Sequence, residues 1–172
     1  RANARPAAAC AAASAAFATP FSYGDILVSS STSIYRYNQT GTLLQTFGTG
    51  GFGMAFDSSG NLFVANGSAV SEYDSSGNSL GTFVSGLPGG AYDIDFDEVG
   101  NAYVVGVVDQ NFDFVRKYSS SGTLLLSTTL QEGQENWVFT GYAGSNRLLV
   151  TAGTAATIYP VNTLTLTAGP TL

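Results

Sequence analysis

From residue 25 onward, short apolar runs alternate with short polar turns. A run ending at Phe56, then Leu62 to Ala65, Ala69 to Tyr73 and Leu80 to Val84, each have strand length, and in the third Val70 and Tyr73 flank polar positions. Between them stand Asp57-Ser58-Ser59-Gly60-Asn61, Asn66-Gly67 and Asp74-Ser75-Ser76-Gly77-Asn78. Each contains a glycine that tolerates positive φ beside residues whose side chains bond their own backbone. The pattern predicts four short antiparallel strands joined by tight turns.

The unit recurs. Gly53-Met54-Ala55-Phe56-Asp57-Ser58-Ser59-Gly60-Asn61-Leu62-Phe63-Val64 returns 40 residues later as Asp93-Ile94-Asp95-Phe96-Asp97-Glu98-Val99-Gly100-Asn101-Ala102-Tyr103-Val104. Glu72-Tyr73-Asp74-Ser75-Ser76-Gly77-Asn78 matches Arg36-Tyr37-Asn38-Gln39-Thr40-Gly41-Thr42 at a shift of 36, and Lys117-Tyr118-Ser119-Ser120-Ser121-Gly122-Thr123 at a shift of 45. The five extra residues of the third unit fall around Asp109 to Asp113, where a loop insertion is expected. A weaker fourth copy runs through Trp137-Val138-Phe139, Asn146 to Val150 and Ile158 to Asn162. Four strands per roughly 40 residues are the mark of a β-propeller blade. A sandwich would give its strands no reason to repeat in register. The expected architecture is all-β, about four blades, with units near 22–47, 50–85, 90–130 and 135–172.

Gly53, Ala55, Asp57, Gly60, Asn61, Val64 and Ala65 resemble the NHL-repeat family of β-propellers, in the type found in secreted bacterial proteins. Phe52 lies near the family's proline, Asn66 replaces its closing aspartate, and the asparagine and arginine usual at the start of the third strand are absent. The resemblance implies a propeller over roughly residues 22–165. It leaves activity open, since related propellers are binding surfaces, scaffolds, lactonases and lyases.

The first unit begins at its second strand, near Asp25 to Val28, and so lacks an inner strand. Three arrangements satisfy such an open end: a segment of a larger propeller, a small ring of four, or assembly with copies of the same chain.

Composition narrows the chemistry. The chain of 172 residues has no histidine, which excludes imidazole bases and histidine-bound metals, and one cysteine, Cys10. A net charge of −6 offers no basic surface for nucleic acid. Arg1 and Arg5 precede an alanine-rich run and Ala16-Phe17-Ala18, so residues 1–18 read as a secretory signal, with 19–172 as the mature domain. Removing the signal would take away two of the six basic residues. No apolar run reaches membrane-spanning length. A secreted, extracellular, cell-surface or periplasmic protein is expected, with a protein or glycan as ligand, or copies of itself.

Only acidic residues offer candidate chemistry. Asp93 and Asp95 replace Gly53 and Ala55, and share one face of an inner strand. With Asn136 at the matching place of the fourth unit, they form a candidate calcium site. Resemblance to gluconolactonase-like propellers implies a calcium-dependent lactonase as the alternative to a non-catalytic binding module. Asp57 and Asp97 read as turn residues. No Gly-x-Ser-x-Gly elbow occurs, and no base would activate a serine, so no catalytic residue is assigned. Asn38 and Asn66 head glycosylation triplets inside predicted turns. Trp137 with Tyr142, or Tyr92, either stack on a sugar or fill the gap between blades, while Glu132 and Glu135 form a solvated acidic loop.

Overall fold

The computed structural model describes residues 19–109, 112–131, 138–142, 147–152 and 157–168. The strands form four antiparallel sheets in which every strand pairs with its neighbour in sequence. Blade 1 holds β1 (Ile26–Ser29), β2 (Ile34–Tyr37) and β3 (Leu43–Phe47). Blade 2 holds β4 (Met54–Phe56), β5 (Leu62–Ala65), β6 (Ala69–Tyr73) and β7 (Ser79–Ser85). Blade 3 holds β8 (Gly90–Phe96), β9 (Ala102–Val107), β10 (Phe112–Tyr118) and β11 (Leu124–Gln131). Blade 4 holds β12 (Val138–Tyr142), β13 (Arg147–Ala152), β14 (Thr157–Asn162) and β15 (Thr167–Ala168).

Five turns share one set of bonds. At Asn38, Asp57, Asp74, Asp97 and Ser119 the leading side-chain oxygen accepts the N–H groups two and four residues on. The glycine three residues on sits at φ between 79° and 84°, a conformation that leaves a Cβ too close to the carbonyl oxygen. The polar pentapeptides of the sequence are therefore turns with a fixed hydrogen-bond programme. Asp57, Asp97 and Asn38 hold turns, as their spacing predicts.

Hydrophobic alternation then joins the sheets. All four residues of β5 are buried: Leu62 and Val64 pack with Ile34, Leu27 and Phe47 of blade 1, while Phe63 and Ala65 pack with Ile94, Ala102 and Val104 of blade 3. In β9, Ala102 and Val104 face blade 2, whereas Tyr103 and Val105 meet Leu148, Val150 and Val161 of blade 4. A strand covered on both faces reads as a continuous apolar run, and that is how these two read in the sequence.

Two expectations are corrected by the pairing. The extra residues of unit 3 do not form a loop insertion. Ala65↔Val70, the last pair of its ladder in blade 2, corresponds to Val105↔Val115, after which Gly106↔Phe114 and Val107↔Asp113 continue the blade 3 ladder. Four of the five extra residues lengthen two strands, because alternation keeps Phe114 in the core while the ladder satisfies the added backbone groups. The second correction concerns the fourth inner strand. Tyr142↔Leu148 matches Phe96↔Ala102, so Phe139 and Gly141 stand where Asp93 and Asp95 stand in blade 3. Asn136 lies outside the described residues.

Candidate functional site

Blade 1 has one face buried and one exposed. Ile26 and Val28 of β1 are 50% and 45% exposed, whereas their repeat equivalents Leu62 and Val64 are 1% and 0% exposed. The same strand position is thus core in blade 2 and surface in blade 1, because among the described residues blade 1 packs on a neighbour through only one face. Its packed face carries Leu27, Ile34 and Phe47.

Along the blade contacts lies a polar position that sequence reading missed. Arg36, Glu72 and Lys117 are repeat equivalents on β2, β6 and β10, and each meets the stretch that leads into the preceding strand of its own blade, at Asp25, Asn61 and Asp97. Arg36 donates from Nε and Nη2 to Asp25 Oδ2 at 2.8 and 2.6 Å, and from its Nη atoms to the carbonyls of Thr19 and Pro20. Phe21 lies under that guanidinium and donates its N–H to Ser75 O, so residues 19–21 strap blade 1 to blade 2. They do not pair as the missing inner strand. Lys117 sits over the Tyr103 ring, 3.7 Å from Asp97 Oδ2, and donates to Thr163 O across the junction with blade 4. The three matched positions in the sequence carried the signal, but their changing charge hid it.

Glu72 at this position and Asp97 beside Lys117 are shifted in opposite directions. Burial pushes Asp97 up, yet bonds from the Asn101 side chain and N–H, the Tyr103 hydroxyl and the Val99 N–H outweigh it, and its pKa is lowered. Its stabilisation is present above the unfolded pKa and is lost as pH falls through the folded value. Glu72 is raised, by burial first and then by Asp57, against a bond from Asn61. Its contribution is favourable below the unfolded pKa and disappears as pH rises through the folded value. Glu72→Gln should therefore raise the melting temperature at pH 7 and leave it unchanged at pH 3, as thermal scans at the two pH values will show.

Of the three candidate calcium ligands, Asp93 and Asp95 are described and Asn136 lies outside the described residues. Asp93 and Asp95 lie two apart on β8, with Asp95 Oδ1 accepting the Phe96 N–H at 2.8 Å. The Asp93 carboxylate lies against Gly53, filling the space a Cβ there would take. Among the described residues no group of three acidic or thiol side chains is placed to hold a metal ion. Asn38 and Asn66 sit in turns. Trp137, Glu132 and Glu135 lie outside the described residues, and of Tyr142 only the backbone is described.

Tyr92 has a partner the sequence did not name. It stacks on Phe52, with centroids 4.6 Å apart and an interplanar angle of 29°. Beside Phe52 a cleft of about 260 Å³ is lined by Ser29, Ser30, Ser31, Gly50, Gly51 and Asn66. It opens where the first and second blades meet.

The fold is similar to that of several solved structures. A protein of unknown function from Bacteroides caccae is similar over 87% of this chain and 57% of its own, at 20% identity and a TM-score of 0.64. The U3-55K structure is similar over 85% of this chain and 47% of its own, at 13% identity and a TM-score of 0.66. The computationally designed Ika4 protein is similar over 83% of this chain and 87% of its own, at 15% identity and a TM-score of 0.56. The fold is a β-propeller. The chain spans about half the length of the first two proteins it matches. No protein-family model and no curated protein matches it.

Proposed function

We propose that this chain is a secreted, non-catalytic propeller unit of the NHL-like type, serving as a binding module or extracellular scaffold whose open blade face is completed by another blade. The observation carrying this reading is the inequality between Ile26 and Val28 on one side and Leu62 and Val64 on the other. A sheet face with the apolar pattern of a blade junction complements a second blade face, and exposed apolar patches of that kind mark interaction sites. In the isolated chain that second face comes from another copy. The absence of histidine supports a non-catalytic role, because it leaves the plentiful hydroxyls without an imidazole base. Light scattering of the double variant Ile26→Lys, Val28→Lys tests the reading. The variant is expected to be a folded monomer while the unaltered chain is larger, and equal masses for the two would refute it.

A further inference from the structure

Phe52 and Tyr92 are repeat equivalents, 40 residues apart, at the start of the inner strands of consecutive blades. Neither belongs to the clusters that fill the blade junctions, where Phe63, Tyr73 and Tyr118 pack in the core and Phe47, Phe83 and Phe96 against it. Phe52 is 52% exposed. Tyr92 is the extra residue of a β-bulge between Ala91 and Asp93, a device that turns a side chain out of the alternation of its strand.

The surroundings hold this pair in place. The Phe52 N–H donates to Ala65 O at 2.8 Å, and Gly67 and Ala91 bridge the second blade to the third. Gly50 and Gly51 lie so close to the carbonyls of Ser30 and Ala65 that no Cβ would fit, so the cleft floor is backbone. Its walls are serines and Asn66, and no charged side chain lines it.

We infer that this is a carbohydrate subsite, in which a neutral sugar ring lies against Phe52 and its hydroxyls reach Ser31 and the side-chain carbonyl of Asn66, the Ser29 and Ser30 hydroxyls holding the cleft's own backbone. An aromatic face suits the C–H side of a pyranose, and the uncharged hydroxyl and amide groups suit its rim. A fixed platform loses little conformational freedom on binding. The inference rests on the binding-module reading above and deepens it.

Calorimetric titration with neutral tetrasaccharides of glucose, galactose and N-acetylglucosamine tests it, with a proline-rich peptide as the competing probe. At least one saccharide should bind saturably. Phe52→Ala should weaken that binding about ten-fold, and Phe52→Trp should restore it. The melting temperature should stay within about 2 °C in both variants, since Phe52 lies outside the core. Saturable binding by none of the three, unchanged affinity in Phe52→Ala, or binding of the peptide alone would overturn the subsite. Self-association measured on the same samples separates the failures: a chain that assembles without binding sugar loses the subsite and keeps the scaffold role.

Discussion

Phe114→Ala is expected to lower the unfolding free energy by about 4 kcal/mol. Phe114 is 1% exposed, packs in the junction between blades 2 and 3, and faces Gly106 on the paired strand. Its ring lies where a Cβ on Gly106 would have to go, so ring and glycine fill one space. With strands paired on both sides of β10, the neighbours have little freedom to collapse into the cavity. Urea unfolding at fixed protein concentration reads the change. An exposed side chain would cost less than about 0.5 kcal/mol, so a small loss would contradict the burial of Phe114 in this junction.

Lys117→Met follows, with an expected loss of about 3 kcal/mol. The substitution keeps the apolar stem but leaves Asp97 without its cation and Thr163 O without its donor. The Lys117 and Asp97 side chains are largely buried, so water does not replace the lost partner. Asp97→Asn in the same chain should recover about 1 kcal/mol or more, because the stranded charge is then gone. Additive losses in the double variant, again read by urea unfolding, would mean that the pair is not coupled.

How far the fold was legible depends on the range of the interaction. The turns were legible because each is closed within five residues: Asp57 and Gly60 supply the acceptor and the positive φ that the turn needs. The double-faced burial of Leu62 to Ala65 showed as an unbroken apolar run. Lys117 and Thr163 are 46 residues apart, and no local pattern announces their bond. The register of the fourth inner strand was read three residues early, since Trp137-Val138-Phe139 is the more apolar stretch. The six-residue step from Phe56 to Leu62 and from Phe96 to Ala102 recurs from Tyr142 to Leu148, and that spacing identifies the strand.

The candidate site divided in the same way. Asp93 and Asp95 were found because they break the repeat, and the register sets Phe139 and Gly141 opposite them in the fourth blade's repeat. Phe52 and Tyr92 escaped notice as a pair because they keep the repeat. Their stacking follows from where consecutive blades bring equivalent positions, a property of the assembled junction rather than of either strand. Of the seven residues that carry the resemblance to NHL repeats, Asp57, Gly60 and Asn61 are turn residues here, and Val64 and Ala65 are buried strand residues, so it speaks to architecture.

The central claim is that the exposed face of blade 1 is a junction awaiting its second half. Sedimentation velocity on the chain over a hundred-fold range of concentration tests it most directly. The account predicts a sedimentation coefficient that rises with concentration toward a defined assembly, and a rise abolished by Ile26→Lys with Val28→Lys. A single monomeric boundary at every concentration, with one cooperative unfolding transition, would show that the four blades are sufficient alone and would contradict it.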